Sequence, residues 1–188
     1  MKASKPTQAM RFAFEVHAGQ TRRFSNVPFI EHPLAVAGLV ASLAGAVDPN
    51  WLEDAITVAY LHAVVVNGKV KREELVERFG ERIADHVMQV SISDTGDGDF
   101  EERSNRMLAV IEDLNHLAQT VICAAITHNV SNYLRNDKKL AAQFVVEMER
   151  TLSVLTKAHP DLLELAHASW QEAINVLREE ERKKNFTL

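Results

Sequence analysis

The run Leu61-His62-Ala63-Val64-Val65-Val66-Asn67-Gly68 decides how this chain is read. It closes a helical stretch that begins after the break Asp48-Pro49-Asn50, where Asn50 is the expected cap and Glu53 and Asp54 favour the positive end of the helix dipole. Asn67-Gly68 is the expected stop. Two upstream segments belong with it. His17-Ala18-Gly19-Gln20-Thr21-Arg22-Arg23 follows a first helix whose Met10, Ala13, Phe14 and His17 share a face. Pro28-Phe29-Ile30-Glu31-His32-Pro33 then opens a second helix, with proline suited to the first turn. That helix carries Leu34, Val36, Ala37, Leu39, Val40 and Leu43, apolar nearly all round, so it belongs in the middle of the core. His32 opens one helix and His62 closes the next, and on packed helices both can point at one metal.

Helical periodicity continues downstream. Lys71–Phe79 reads as a short helix closed by Gly80, and Glu81–Ser91 as another. Ser93–Ser104 reads as an acidic loop, Arg106–Leu117 and Thr120–Leu134 as two helices, and Leu140–Ala158 as a long one. Pro160-Asp161 opens the last, with Leu162, Ala166, Trp170, Ile174 and Leu177 at helical spacing. It runs to about residue 184, where Glu179–Lys184 form a charged tail. No strand, linker or internal repeat is visible. The expectation is all-α: one compact multi-helix domain over residues 1–188, with about eight or nine helices.

Composition narrows the function. The 188 residues suffice for one domain with a real core, and 46% apolar with 25% charged residues is ordinary for a globular chain. Only 7 Gly and 5 Pro argue against an all-β fold. A net charge of −5 argues against nonspecific nucleic-acid binding, but leaves room for a local basic pocket. Ala35–Val47 is too short to span a bilayer, and Met1–Lys5 lead into an amphipathic pattern, not a signal sequence. The single Cys123 cannot form an internal disulfide and reads as a small buried hydrophobe, so a cytoplasmic protein is expected. A homo-oligomer joined through the helix around Trp170 is one possible assembly.

Taken together, His17-Ala-Gly-Gln-x-Arg-Arg, Pro-Phe-Ile-x-His-Pro-Leu-x-Val-Ala and Leu-His-x-Val-Val resemble the hydrolase domain of the RelA/SpoT family. Phe79-Gly80-Glu81-Arg82-Ile83-Ala84 and Val121–Asn129, which ends in His128-Asn129, extend the resemblance over roughly residues 5–165. There is no room for a synthetase domain, so the chain is similar to the small, hydrolase-only members. The resemblance implies an HD-superfamily fold that removes the 3′-pyrophosphate of ppGpp with a divalent metal, usually Mn²⁺, held by two His and two Asp. It places the histidines at His32 and His62, but the aspartates at Ala63 and Ala125. The pair of carboxylates that acts on the attacking water falls on Val66 and Asn67. It also implies nucleotide contacts from Arg22, Arg23 and Asn129.

Methyl groups at two ligand positions remove two hard oxygen donors and two charges that would offset the ion. Even losses in the groups that orient metal ligands cost about 10- to 100-fold. No carboxylate at Val66 or Asn67 can accept or deliver a proton. The expectation is therefore a degenerate site with His32 and His62 as its remnant, no catalytic residue and no cofactor. Mn²⁺ or another divalent ion would bind only if His86, His116 or His128 rescued the site. The leading functional reading is a regulatory pseudoenzyme that binds (p)ppGpp or another anionic nucleotide. Two alternatives stand beside it. One is an interaction protein whose pocket is filled by Ala63, Val66 and Ala125; the other is an active phosphohydrolase with an altered metal. The acidic run Asp94–Glu102, and Ile122 where the family carries Lys, weigh against a tetraphosphate ligand.

Overall fold

The structure is a computed structural model that describes residues 3–22, 25–92, 97 and 99–185, with the side chains of 184 and 185 left aside. Among the described residues there are nine helices: α1 (Lys5–Val16), α2 (Glu31–Ala41), α3 (Pro49–Leu61), α4 (Arg72–Phe79), α5 (Glu81–Val90), α6 (Phe100–Asp113), α7 (His116–Asn136), α8 (Lys138–Val154) and α9 (Pro160–Asn185). The all-α expectation holds, and no helix among them is long and apolar enough to cross a membrane.

Two helices organise the rest. α3 packs on α1, α2, α5 and α7, while α7 also packs on α2, α5, α8 and α9. Both are apolar on several faces: α3 buries Ala55, Val58, Ala59 and Leu61, and α7 buries Leu117, Val121, Cys123, Ala124 and Val130. A helix buried on several sides cannot be amphipathic, and neither is. Gln119, fully buried on α7, makes this burial possible by spending all its polar atoms. Its Nε2 donates to the carbonyls of Ile111 and Glu112, and its Oε1 accepts from Lys157 N at 2.7 Å. Asp54 on α3 is also buried and is paired with Arg82 on α5.

Several boundaries differ from the sequence expectation. Asp48, not Asn50, caps α3: its Oδ1 accepts from Asn50 N and Trp51 N, and Pro49 takes the first helical position. On α1 the buried residues are Ala9, Phe12 and Ala13, whereas Phe14 is 47% exposed. Phe100–Ser104 are helical, not loop, because Asp99 and Glu102 form a reciprocal capping box. Residues 93–96 and 98 of the expected acidic loop lie outside the described residues. The break between α6 and α7 falls at Leu114-Asn115, with Asn115 Oδ1 accepting from Ala118 N. The charged run Glu179–Lys184 is the end of α9. Trp170, a candidate for contact with another chain, packs on its own domain and donates Nε1–H to Val145 O at 3.0 Å.

α3 also ends earlier than its apolar pattern suggests. The regular helix stops at Leu61 and His62 is its C-cap. The backbone tightens at Val64 N→Leu61 O and then runs in turns to Gly68, whose N donates to Val64 O at 3.0 Å. His62 and Ala63 therefore stand on a turn that opens toward α2 and α7.

Candidate functional site

The loop between α1 and α2 is built by its own backbone. Arg22 N donates to Val27 O at 2.8 Å and Phe29 N to Gln20 O at 2.9 Å, closing a narrow turn around the isolated bridge Thr21–Pro28. Gln20 Nε2 donates to Val16 O and, more weakly, to Asn67 O at 3.4 Å, which ties the loop to the turn after α3. Gln20 Oε1 accepts from His17 Nδ1 at 2.9 Å. The result is a fixed platform that turns Arg22 inward: it is only 6% exposed, and its Nη2 donates to Asn129 Oδ1 on α7 at 2.9 Å.

His32, at the start of α2, lies between two other imidazoles. Its Nε2 is 3.1 Å from His62 Nε2, and its Nδ1 is 2.9 Å from His128 Nδ1 on α7. His62 Nδ1 donates to Ala59 O at 2.7 Å. Burial is the main force on all three. It holds His32 well below the ordinary histidine range, helped by nearby His62 and Arg22. It brings His62 down to about 4 against the opposing pull of the Ala59 carbonyl. It lowers His128, with Arg22 adding to the effect. At neutral pH the cluster is uncharged.

These residues border a cavity of about 350 Å³ lined by Arg22, Phe29, His32, His62, Ala63, Val66, Asn67, Val90, Ala125, Asn129 and Tyr133. The expectation of a pocket filled by Ala63, Val66 and Ala125 is not met: the space is open, with all three on its walls and Val66 48% exposed. Among the described residues no carboxylate lines it. Among the described residues Arg22 is its one lining cation, lowered below the usual guanidinium range by burial and supported by Tyr133 and Glu31. A guanidinium does not deprotonate at physiological pH, so Arg22 gives the cavity a permanent positive charge.

The donor set does not suit the divalent metal that the resemblance implies. His32 and His62 bring their Nε2 atoms together, but Ala63 and Ala125 contribute methyl groups where oxygen ligands would stand. Among the described residues no group of three or more His, Cys, Asp or Glu side chains could hold an ion. Of the histidines considered for rescue, His128 does reach His32, through Nδ1. His86 does not, being an acceptor for Asn115, and His116 does not, since it donates to Lys157 O.

The structure thus brings together Arg22, Asn129, His32, His62, Ala63 and Ala125, while Arg23 lies outside the described residues. Sequence reading missed Phe29 and Tyr133 as pocket walls. Tyr133 follows Asn129 by four residues on α7, so the helical repeat alone puts both on one face. Phe29 packs its ring 4.7 Å from His17 and 6.2 Å from His32, and the Pro-Phe-Ile run before His32 was the available signal.

A model of the HD domain family matches residues 9–99. A probable guanosine-3′,5′-bis(diphosphate) 3′-pyrophosphohydrolase of Synechocystis is 34% identical over 113 residues, covering 57% of this chain and 14% of that protein. The guanosine-3′,5′-bis(diphosphate) 3′-pyrophosphohydrolase of Haemophilus influenzae is 31% identical over 135 residues, 68% of this chain and 19% of that protein. The bifunctional (p)ppGpp synthase/hydrolase SpoT of Escherichia coli is 29% identical over 140 residues, 70% and 19% respectively. The chain therefore spans less than a fifth of these relatives' length. Among solved structures, a metazoan ortholog of SpoT that hydrolyzes ppGpp superposes with a TM-score of 0.78 at 17% identity, covering 92% of this chain and 97% of that one.

Proposed function

We propose that this chain, an HD-type domain of the (p)ppGpp-hydrolase kind, binds an anionic guanine nucleotide in the Arg22 pocket without hydrolysing it by the family's metal chemistry, and so acts as a regulatory or binding module. One observation carries this reading: a buried guanidinium faces an open cavity that no carboxylate lines among the described residues. Burial of the cation outweighs the support it draws from Tyr133 and Glu31, and its hydrogen bond to Asn129 is to a neutral amide, so the arrangement is strained. A phosphate oxygen relieves it with charge-assisted hydrogen bonds, which a guanidinium makes in pairs. Asn129 holds the guanidinium plane in place, so its other N–H groups keep their direction. Phe29 and Tyr133 add aromatic walls suited to a flat base. Arg23 is the second basic residue that the family pattern assigns to the phosphates.

The loss of chemistry follows from side chains. Ala63 and Ala125 present no oxygen to an ion, and neither Val66 nor Asn67 titrates near neutral pH. Calorimetric titration with ppGpp, GDP and GTP, together with a phosphate-release assay in Mn²⁺, tests both halves. Saturable binding with no turnover supports the proposal. No binding well above micromolar nucleotide removes it.

A competing reading is an enzyme with an altered metal. It is favoured by the 3.1 Å separation of the His32 and His62 Nε2 atoms, a spacing that two ligands of one ion can adopt. Elemental analysis after incubation with Mn²⁺ or Zn²⁺ decides between the two: stoichiometric metal retained by the protein would favour the enzyme.

A further inference from the structure

We propose that His128, His32 and His62 form one directed hydrogen-bonded chain with fixed tautomers, and that this chain takes the place of the metal in pinning α7, α2 and α3 around the pocket. The inference holds whichever nucleotide binds, because it concerns the protons of the protein alone.

The argument starts at a backbone carbonyl. Ala59 O can only accept, so His62 Nδ1, 2.7 Å away, carries a proton. A neutral imidazole, the ordinary form at neutral pH, carries one proton, so the His62 Nε2 carries the lone pair. His32 Nε2, 3.1 Å from it, must then be the donor. In the same ordinary form His32 has its one proton on Nε2, which leaves its Nδ1 as an acceptor. His128 Nδ1, at 2.9 Å, therefore donates to it. Each step fixes the next: His128 Nδ1–H to His32 Nδ1, His32 Nε2–H to His62 Nε2, His62 Nδ1–H to Ala59 O. The near-parallel rings of His32 and His128 and the edge-on rings of His32 and His62 are compatible with this order.

This arrangement disfavours a metal by a second route, independent of the missing carboxylates. An ion between His32 and His62 needs both Nε2 lone pairs. His32 Nε2 holds a proton, and His62 Nε2 is already accepting it. To release them, His32 would have to carry its proton on Nδ1, and His128 would have to give up the proton it points there. A divalent ion would have to outweigh two hydrogen bonds with no carboxylate to help it.

His128 is thus a positioning residue. It links α7 to α2 one residue before Asn129, the partner of Arg22, so the register of the chain sets where the guanidinium is held.

The test is a long-range proton–nitrogen correlation spectrum of the ¹⁵N-labelled full chain at neutral pH, recorded with and without excess Mn²⁺ or Zn²⁺. The expected pattern is Nδ1–H for His62 and His128 and Nε2–H for His32, unmoved by either metal. The variant carrying Ala63→Asp and Ala125→Asp serves as a comparison, in which Mn²⁺ should shift the His32 and His62 signals. A His62 in the Nε2–H form, a His32 in the Nδ1–H form, or wild-type signals that move or broaden selectively at His32 and His62 with either metal would overturn the proposal. Because the wild-type spectrum alone decides, failure of the double variant to fold leaves the test intact. Nucleotide binding is not read in this experiment, so its failure and that of the binding proposal remain separate.

Discussion

Arg22 and Asn129, 107 positions apart in the sequence, meet at 2.9 Å, and the contact fixes the one cation that lines the candidate pocket among the described residues. The first prediction follows from that contact. Arg22→Ala should lower affinity for a guanine nucleotide by about tenfold or more, since a hydrogen bond to a charged group contributes about 1.5–3 kcal/mol. Arg22→Lys keeps the charge but loses the fork, and should recover only part of the loss. Asn129→Ala should weaken binding less than Arg22→Ala, because it frees the guanidinium without removing it. Calorimetry on the three variants checks the order. An Arg22→Ala protein that binds as tightly as wild type would place the nucleotide elsewhere.

Gly68 makes a packing prediction. A Cβ built there would lie 2.1 Å from Val16 Cγ1 and 2.6 Å from Val64 O. The valine methyl can turn aside, but the carbonyl belongs to the turn that carries His62 and Ala63. Gly68→Ala should therefore destabilise by about 1–3 kcal/mol, as overpacking does. For a chain of this size each kcal/mol lowers Tm by about 2–4 °C. A thermal melt equal to wild type would mean that the turn yields freely.

Cys123 should be inert in the native protein. It is fully buried on α7, its Sγ donates to Leu162 O at 3.3 Å, and burial pushes its thiol up to about 12. The thiolate is the reactive form, so labelling by an aromatic disulfide reagent should be slow in buffer and fast in urea. Rapid stoichiometric labelling without denaturant would contradict the burial.

How much of this was legible beforehand depends on the kind of signal. The all-α architecture and the order of the helices follow from apolar periodicity, which records burial directly. His32, His62, Ala63 and Ala125 were placed by motif, and the fold brings them to one cavity. Cap choice was less legible: Asp48 and Asn50 are both good caps, and Pro49 at the first helical position decides for Asp48. The contact of His128 with His32 was not legible, because it depends on the rotation of α7 against α2, a tertiary quantity that no spacing within either helix encodes. The open state of the pocket was hidden for the same reason. Val66 is apolar and reads as filler, yet beyond the early end of α3 it stands half-exposed on the pocket wall.

The imidazole cluster predicts a pH dependence with a definite sign. In the unfolded chain these histidines titrate near their ordinary value of about 6.5. In the folded chain His62 lies at about 4, and His32, His128 and His17 are lowered too, each mainly by burial. Between those values the unfolded state binds more protons than the native state, so stability rises with pH across the window. The contribution of the neutral cluster is complete above about pH 6.5 and is lost progressively as pH falls toward about 4. Urea unfolding at intervals from about pH 7.5 to about pH 5 should show a falling midpoint with no change in slope per molar urea. His62→Gln removes one of the titrating groups and should flatten the decline. A decline as steep in that variant as in wild type would assign the acid sensitivity to groups outside the cluster.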